Sequence, residues 1–219
     1  MHKLIVLFFI LLLSTAIAGQ SGESTTKGKL VAFVNVNVIP MDRERVLRNQ
    51  TVIVSDGKIT SIGDAKRIKP PAGAQVIDGT NKFLIPGLMD MHVHLFSDDE
   101  FPDALAEDEL KVMVANGVTT IRLMTGTPEQ LVLRARSARG EIIAPTIYAA
   151  SPMFIGKKSH NAYVVTTETE GRESVRKARQ DGYDYLKMTT NLKPEVYEAI
   201  VDEARKQNIR VVGHADSRH

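Results

Sequence analysis

From Ile85 to the C-terminus, short apolar runs alternate with longer amphipathic ones, and this constrains the fold more than any other feature. LMDMHVHL, VTTIRLM, IIAPTIYAASPMF, YDYLKMTT and IRVVGHA read as strands. Between them lie four helical stretches. PDALAEDELKVMVANG stops at Gly117. The second opens on Thr127-Pro128, with threonine as cap and proline in the first turn, and runs through LVLRARSARG. The third opens on Thr167-Glu168-Thr169-Glu170, a capping box, and ends at Gly182. The fourth is PEVYEAIVDEARKQN, opened by Pro194. Strands apolar on both faces, separated by helices, belong to a parallel sheet covered by helices. Two arrangements satisfy that pattern, a (β/α) barrel and an open doubly wound sheet. The second is disfavoured, because no glycine-rich phosphate loop follows a strand.

The preceding segment is built differently. LVAFVNVNVIP is valine-rich and partly alternating, and TVIVSDGKITSIG is two short strands around Asp56-Gly57. Both turn residues tolerate positive φ, which makes this a strong hairpin signal. Pro70-Pro71-Ala72-Gly73 breaks the chain before AQVIDGTNKFLIPG resumes with short strands. Residues 29–84 are therefore expected to form a small β-sandwich-like layer, and residues 85–219 the βα domain. Residues 19–28 are polar and small and read as a linker. Residues 1–18 have a short positive start, an apolar run from Leu4 to Leu13 and an Ala16-Ile17-Ala18 ending, the pattern of a signal peptide. The apolar run is shorter than the roughly 20 residues a membrane span needs, so no stable membrane anchor is expected, with an uncleaved anchor as the alternative. The expectation is export, to the periplasm or as a secreted protein.

Composition narrows the function classes. With 43% hydrophobic and 25% charged residues the chain is an ordinary globular one. The net charge is +2 and no basic stripe stands out, so no nucleic-acid partner is expected. The chain has no cysteine, which removes disulfides, thiolate ligands, a cysteine nucleophile and a lipoprotein anchor.

Chemistry concentrates at the ends of the apolar runs. Alternation puts Asp90, His92 and His94 on one face, with the two imidazoles roughly 6.6 Å apart along the strand at about 3.3 Å per residue. Such a pair can take a metal ion, but exposed strands also carry it without function. Lys187 lies near the end of YDYLKMTT, where burial of an amine is costly. His214 ends IRVVGHA. In a parallel sheet these strand ends open on one rim, so His92, His94, Lys187 and His214 gather there. Singly, Lys187 could snorkel or pair with a carboxylate, and His214 could be a hydrogen-bonded rim histidine. Asp90 is read as structural. His160 reads as a solvated loop histidine, and His2 and His219 as no ligands. Arg122 and Thr125 either face the pocket or sit on the rim in a salt bridge.

PGLMDMHVHL resembles the PGxxDxHxH signature of the amidohydrolase superfamily, metal-dependent hydrolases. The GKITSIG hairpin, VIDGTNKFLIPG, IRLMTG, YDYLKMTT and VVGHADSRH extend the resemblance along nearly the whole chain after the leader. It is most similar to the imidazolonepropionase and Xaa-Pro dipeptidase branch. The resemblance implies an incomplete (β/α)8 TIM-type barrel of about five strands. It implies that His92 and His94 bind the more buried metal, that His214 binds a second, and that Lys187 bridges both after carboxylation by carbon dioxide. One or two zinc ions would then prepare water for attack on an amide or cyclic amide carbon. The substrate would be a small molecule or dipeptide-like.

The sequence ends at His219, before the sixth-strand histidine and the eighth-strand general-base aspartate that the resemblance implies. Asp216 does not fill that role, and no catalytic residue is expected within the chain. The expectation is a truncated enzyme with impaired turnover. The alternative is a non-catalytic, metal-binding half-barrel that pairs with another chain as a homo-oligomer.

Overall fold

The computed structural model describes residues 30–95, 103–157, 159 and 161–214. The expected leader and linker lie outside the described residues, as do His2, His160, Asp216 and His219. The chain divides into two compact units, one up to Ile85 and one from Pro86.

The first unit is one mixed sheet. Strand β1 (Leu30–Val38) pairs antiparallel with β2 (Leu47–Ser55), which pairs antiparallel with β3 (Lys58–Asp64). Strands β4 (Gln75–Asp78) and β5 (Phe83–Leu84) lie parallel to β1, giving the order β3-β2-β1-β4 with β5 also on β1. The sandwich-like layer is thus realised, among the described residues, as a single sheet. The hairpin turn has φ of +51° at Asp56 and +74° at Gly57, the two positive angles that match the twist of the flanking strands. Within β1, Phe33 stands opposite Val52 and Val36 opposite Gln50, so three steps on one strand match two on the other. Asn35 absorbs the extra residue at φ +57°, a conformation asparagine tolerates better than most side chains. Val36, Val38 and Val52 form the apolar centre of this sheet.

The second unit alternates as its sequence pattern requires. Its elements are β6 (Leu88–Val93), α1 (Asp103–Ala115), β7 (Val118–Leu123), α2 (Pro128–Ala138), β8 (Thr146–Ile155), β9 (Ala162–Val164), α3 (Glu168–Asp181), β10 (Tyr185–Met188), α4 (Pro194–Lys206) and β11 (Arg210–Gly213). The sheet runs β11-β10-β8-β7-β6, every pairing parallel, with β9 added on β8. Spatial order therefore follows chain order, apart from the short β9. A doubly wound sheet reverses direction at a switch point, and this one does not. The result is a half-barrel of five principal strands. Strand β9 was not anticipated. Three residues after a polar loop give no period to read, and they become a strand only because β8 supplies partners from Met153 to Ile155.

Two apolar clusters fix the convex side. Val93, Leu95, Ile121, Leu123 and Ile147 pack with Ala106, Leu110 and Leu133 of the first two helices. Ala149, Phe154, Leu186 and Met188 pack with Val175, Ala178, Val196, Ile200 and Ala204 of the last two. The helix starts read from sequence are seen as hydrogen bonds. The Thr127 hydroxyl accepts from the Gln130 N–H. At α3 the box is reciprocal: the Thr167 hydroxyl accepts from the Glu170 N–H, and the Glu170 carboxylate accepts from the Thr167 N–H at 3.0 Å. Gly182 closes that helix in the left-handed conformation, φ +92°. Thr167→Ala is expected to cost about 1 kcal/mol and Thr167→Ser much less, because only the hydroxyl acceptor matters. Thermal melts of the two variants check this.

Candidate metal centre on the concave face

Strand alternation decides which side chains face inward. Val93, Ile121, Leu123, Ile147, Leu186 and Met188 belong to the clusters beneath the helices. Their neighbours His92, His94, Arg122, Tyr148, Tyr185 and Lys187 therefore turn to the opposite, concave face. Six side chains able to bind, stack or donate thus share one surface, although they come from four strands.

The strand carrying both histidines is not regular. Asp90 stands opposite Ile121 and Val93 opposite Leu123, so three steps on β6 match two on β7. This one-residue slip breaks the alternation on which the sequence reading grouped Asp90 with the histidines. Parity counted from Asp90 does not carry to His94, because the bulge shifts it by one. Asp90 is instead local support: its Oδ1 accepts the His92 N–H at 3.0 Å. At the bulge the Arg122 Nε donates to the Met91 carbonyl at 2.9 Å. The strand is thereby pinned one residue before His92.

His92 and His94 lie side by side, ring centroids 5.2 Å apart and planes tilted by 52°. Burial, then the positive charges of His92 and Lys187, holds the His94 imidazole below the usual histidine range. It is therefore neutral at neutral pH, the form that ligates metal. Lys187 is 3% exposed. Its backbone N–H donates to the Ser151 hydroxyl at 3.1 Å, while its amine has no ion pair or hydrogen bond among the described residues. Burial first, then the Arg122 guanidinium, holds that amine below the usual lysine range. A buried lysine with no carboxylate partner is costly as a cation. The snorkelling and ion-paired readings of Lys187 do not describe this side chain.

His214 is placed less firmly in the group. Lys187 pairs with Val212 and Met188 with Gly213, so His214 is one step further on, its N–H donating to the Met188 carbonyl at 3.2 Å. Gly213 must be glycine: its φ is +130°, and a Cβ would stand 2.2 Å from the Met188 oxygen. No hydrogen bond or ring contact joins the His214 imidazole to His92, His94 or Lys187 among the described residues. Nor do three or more His, Asp or Glu side chains gather at a metal-sized point among them. The donor set that does converge is two imidazoles and one uncompensated amine. It suits a divalent ion only once the amine is made an anionic oxygen ligand.

Sequence reasoning left Arg122 undecided between pocket and rim. The structure turns it inward, with no salt bridge among the described residues and its guanidinium carbon 5.5 Å from the centroid of the Tyr185 ring. Tyr148 meets the same ring edge-on, centroids 6.5 Å apart. Neither tyrosine was singled out in the sequence. The available signal was parity, since both share the phase of Lys187 and stand opposite residues under the helices.

Comparison with known proteins gives four matches. A profile of the amidohydrolase family matches residues 83–219. An enamidase from Eubacterium barkeri is 28% identical over 177 residues, covering 77% of this chain and 45% of its own length. A dihydroorotase from Anaeromyxobacter dehalogenans is 34% identical over 79 residues, 36% of this chain and 18% of its own. Among solved structures, a Xaa-Pro dipeptidase with bound methionine in the active site superposes with a TM-score of 0.73 at 21% identity, covering 85% of this chain and 56% of that one. The chain spans about half the length of the enamidase and the dipeptidase.

Proposed function

Because the chain belongs to the amidohydrolase family, we propose that it carries the metal-binding part of a hydrolase that cleaves carbon–nitrogen bonds. The substrate is a small molecule or a dipeptide-like compound with an amide or cyclic amide. His92 and His94 hold one divalent ion, zinc by the preference of imidazole and carboxylate donors. His214 contributes to a second position. Lys187 would serve as an oxygen ligand in its carbamate form: the neutral amine adds to carbon dioxide, an N–C bond forms and a proton leaves. The bound ion supplies the Lewis acidity that makes water nucleophilic near neutral pH and polarises the carbonyl under attack.

The remaining work is done by the chain itself. Burial lowers the Lys187 pKa, which favours the neutral amine that reacts with carbon dioxide. The Asp90 carboxylate fixes the backbone between the two histidines, and Arg122 pins the bulge that presents them. The observation that carries this reading is the lysine: 3% exposed, uncompensated by any carboxylate among the described residues, and adjacent to a histidine pair. The relatives' names, an enamidase and a dihydroorotase, support the class of bond.

The test uses the purified full chain. Zinc titration by calorimetry is expected to show tight uptake that His92→Ala and His94→Ala each abolish. Any hydrolysis of dipeptides or cyclic amides that the chain retains is expected to stop on adding a chelator and to return with zinc. Zinc uptake unchanged in both histidine variants, or full activity in metal-free protein, overturns the reading.

A further inference from the structure

The strand that presents Lys187 is tied to a buried hydroxyl with no part in the metal chemistry above. Ser151 lies on β8 directly after Ala149 and Ala150, and all three are fully buried. Its hydroxyl accepts the Lys187 backbone N–H at 3.1 Å and donates to the Pro152 carbonyl at 2.8 Å. The pairing around it is irregular. Tyr185 stands opposite Ala150 and Lys187 opposite Met153, so three steps on β8 match two on β10. Ser151 and Pro152 fill the extra step, and proline has no N–H to offer a ladder. The slip reverses the phase of β8. Ile147 and Ala149 lie beneath the helices, and unbroken alternation would send Met153 there too. Instead Phe154 lies beneath the helices, opposite Met188, and Met153 stands opposite Lys187. The bulge is held from the β7 side as well. The Ser151 carbonyl accepts the Gly126 N–H at 3.3 Å, and a Cβ at Gly126 would stand 2.0 Å from the Ala150 oxygen.

We propose that Ser151 is a positioning residue for Lys187, its hydroxyl serving as the acceptor that fixes where β10 presents the lysine on the concave face. This rests on the proposed hydrolase and adds to it a residue that acts through the lysine alone. A buried hydroxyl is costly unless it is hydrogen-bonded, and this one uses both its donor and an acceptor position. Removing it leaves the Lys187 N–H without that acceptor in a dry interior, and local opening of the strand is what regains one. A second hydroxyl bridges the same two strands, Thr189 donating to the Phe154 carbonyl at 2.9 Å. It ties a position two residues beyond Lys187, so it separates the stability of the strand pair from the placement of the lysine.

Two readouts on the full chain test this, the first without metal. Cyanate probes the amine: the lysine nitrogen adds to the carbon of isocyanic acid, and a proton moves to the nitrogen of the new urea. Peptide mass spectrometry follows the rate at Lys187, which is 3% exposed in the wild-type chain. Ser151→Ala is expected to raise that rate about tenfold, the factor that an unpaired buried N–H is worth. Ser151→Thr is expected to stay near wild type, and Ser151→Cys, whose thiol is a weak acceptor, to fall between. The cysteine variant nearly keeps the volume, so it carries both readouts if Ser151→Ala fails to fold. Thr189→Val is expected to lower the urea midpoint and leave the Lys187 rate near wild type. The second readout is zinc titration in bicarbonate buffer, where affinity is expected to fall on the order of 10–100-fold in Ser151→Ala and to recover in Ser151→Thr. A Lys187 rate unchanged in the alanine and cysteine variants overturns the proposal. A rise shared equally by Thr189→Val assigns Ser151 a structural role only and likewise overturns it, as does wild-type zinc affinity in Ser151→Ala. A wild-type chain that takes up no zinc overturns the metal site, and a Lys187 rate raised only in the Ser151 variants then still supports the serine as the residue that places the lysine.

Discussion

Lys187→Met is expected to abolish the stabilisation by zinc and bicarbonate while making the metal-free protein more stable. The two effects have one cause. In wild-type protein the Lys187 amine is buried beside Arg122 and His94 with no counter-charge among the described residues. Replacing buried charge by an apolar side chain of similar length commonly gains about 1–4 kcal/mol. The gain depends on pH with a definite sign. Folding lowers the lysine pKa from its reference of 10.5, so the unfolded chain binds more protons between the depressed value and 10.5. Wild-type stability therefore rises with pH through that window. The disadvantage relative to the variant is full below the depressed value and fades as pH climbs toward 10.5. Urea unfolding in carbon-dioxide-free buffer with a chelator, at neutral and strongly alkaline pH, measures both. Adding zinc and bicarbonate should reverse the order, because a ligand at a hundred times its Kd stabilises by about 2.7 kcal/mol and the variant cannot form the carbamate. A variant no more stable than wild type, or one that keeps the wild-type response to zinc, contradicts this account of Lys187.

Phe154→Ala is the second large effect, expected to cost about 3–5 kcal/mol. Phe154 is fully buried and sits where β8 meets both β9 and β10. Its ring centroid lies 5.1 Å from that of Tyr163, and its cluster includes Leu186 and Met188, the two neighbours of Lys187. Its carbonyl accepts the Thr189 hydroxyl at 2.9 Å. Truncation removes the apolar support behind the strand that presents the lysine. Total stabilities of about 5–15 kcal/mol leave little margin for such a loss. The measurement is the urea midpoint, expected to fall sharply with an unchanged slope. A shift worth less than about 1 kcal/mol would mean that the cluster collapses onto the gap and that Phe154 is not the keystone of this region.

Much of this was readable one segment at a time. The five principal strands, the four helices and the two-residue hairpin turn stand where period, capping residues and glycine predict them. Thr127, Thr167 and Gly182 act at the helix ends as read. Parity placed His92, His94 and Lys187 on a common face. It failed at Asp90, because a bulge is a property of pairing and leaves no signature in the strand that carries it. It gave no reason to choose Tyr148 or Tyr185, whose interest lies in what they touch. His214 was read as an equal member of the ligand group, and the structure puts it at the expected strand end with no hydrogen bond or ring contact to the others among the described residues.

The division has a physical origin. Helix caps, turns and alternation arise from residues within a few positions of one another, so the chain states them locally and the sequence alone determined them. The isolation of Lys187, the hold of Arg122 on Met91 and the order of strands in the sheet depend on residues tens of positions apart. Parallel register sets those relations, and only the packed sheet could decide them, because helices of many lengths connect the same two strands equally well.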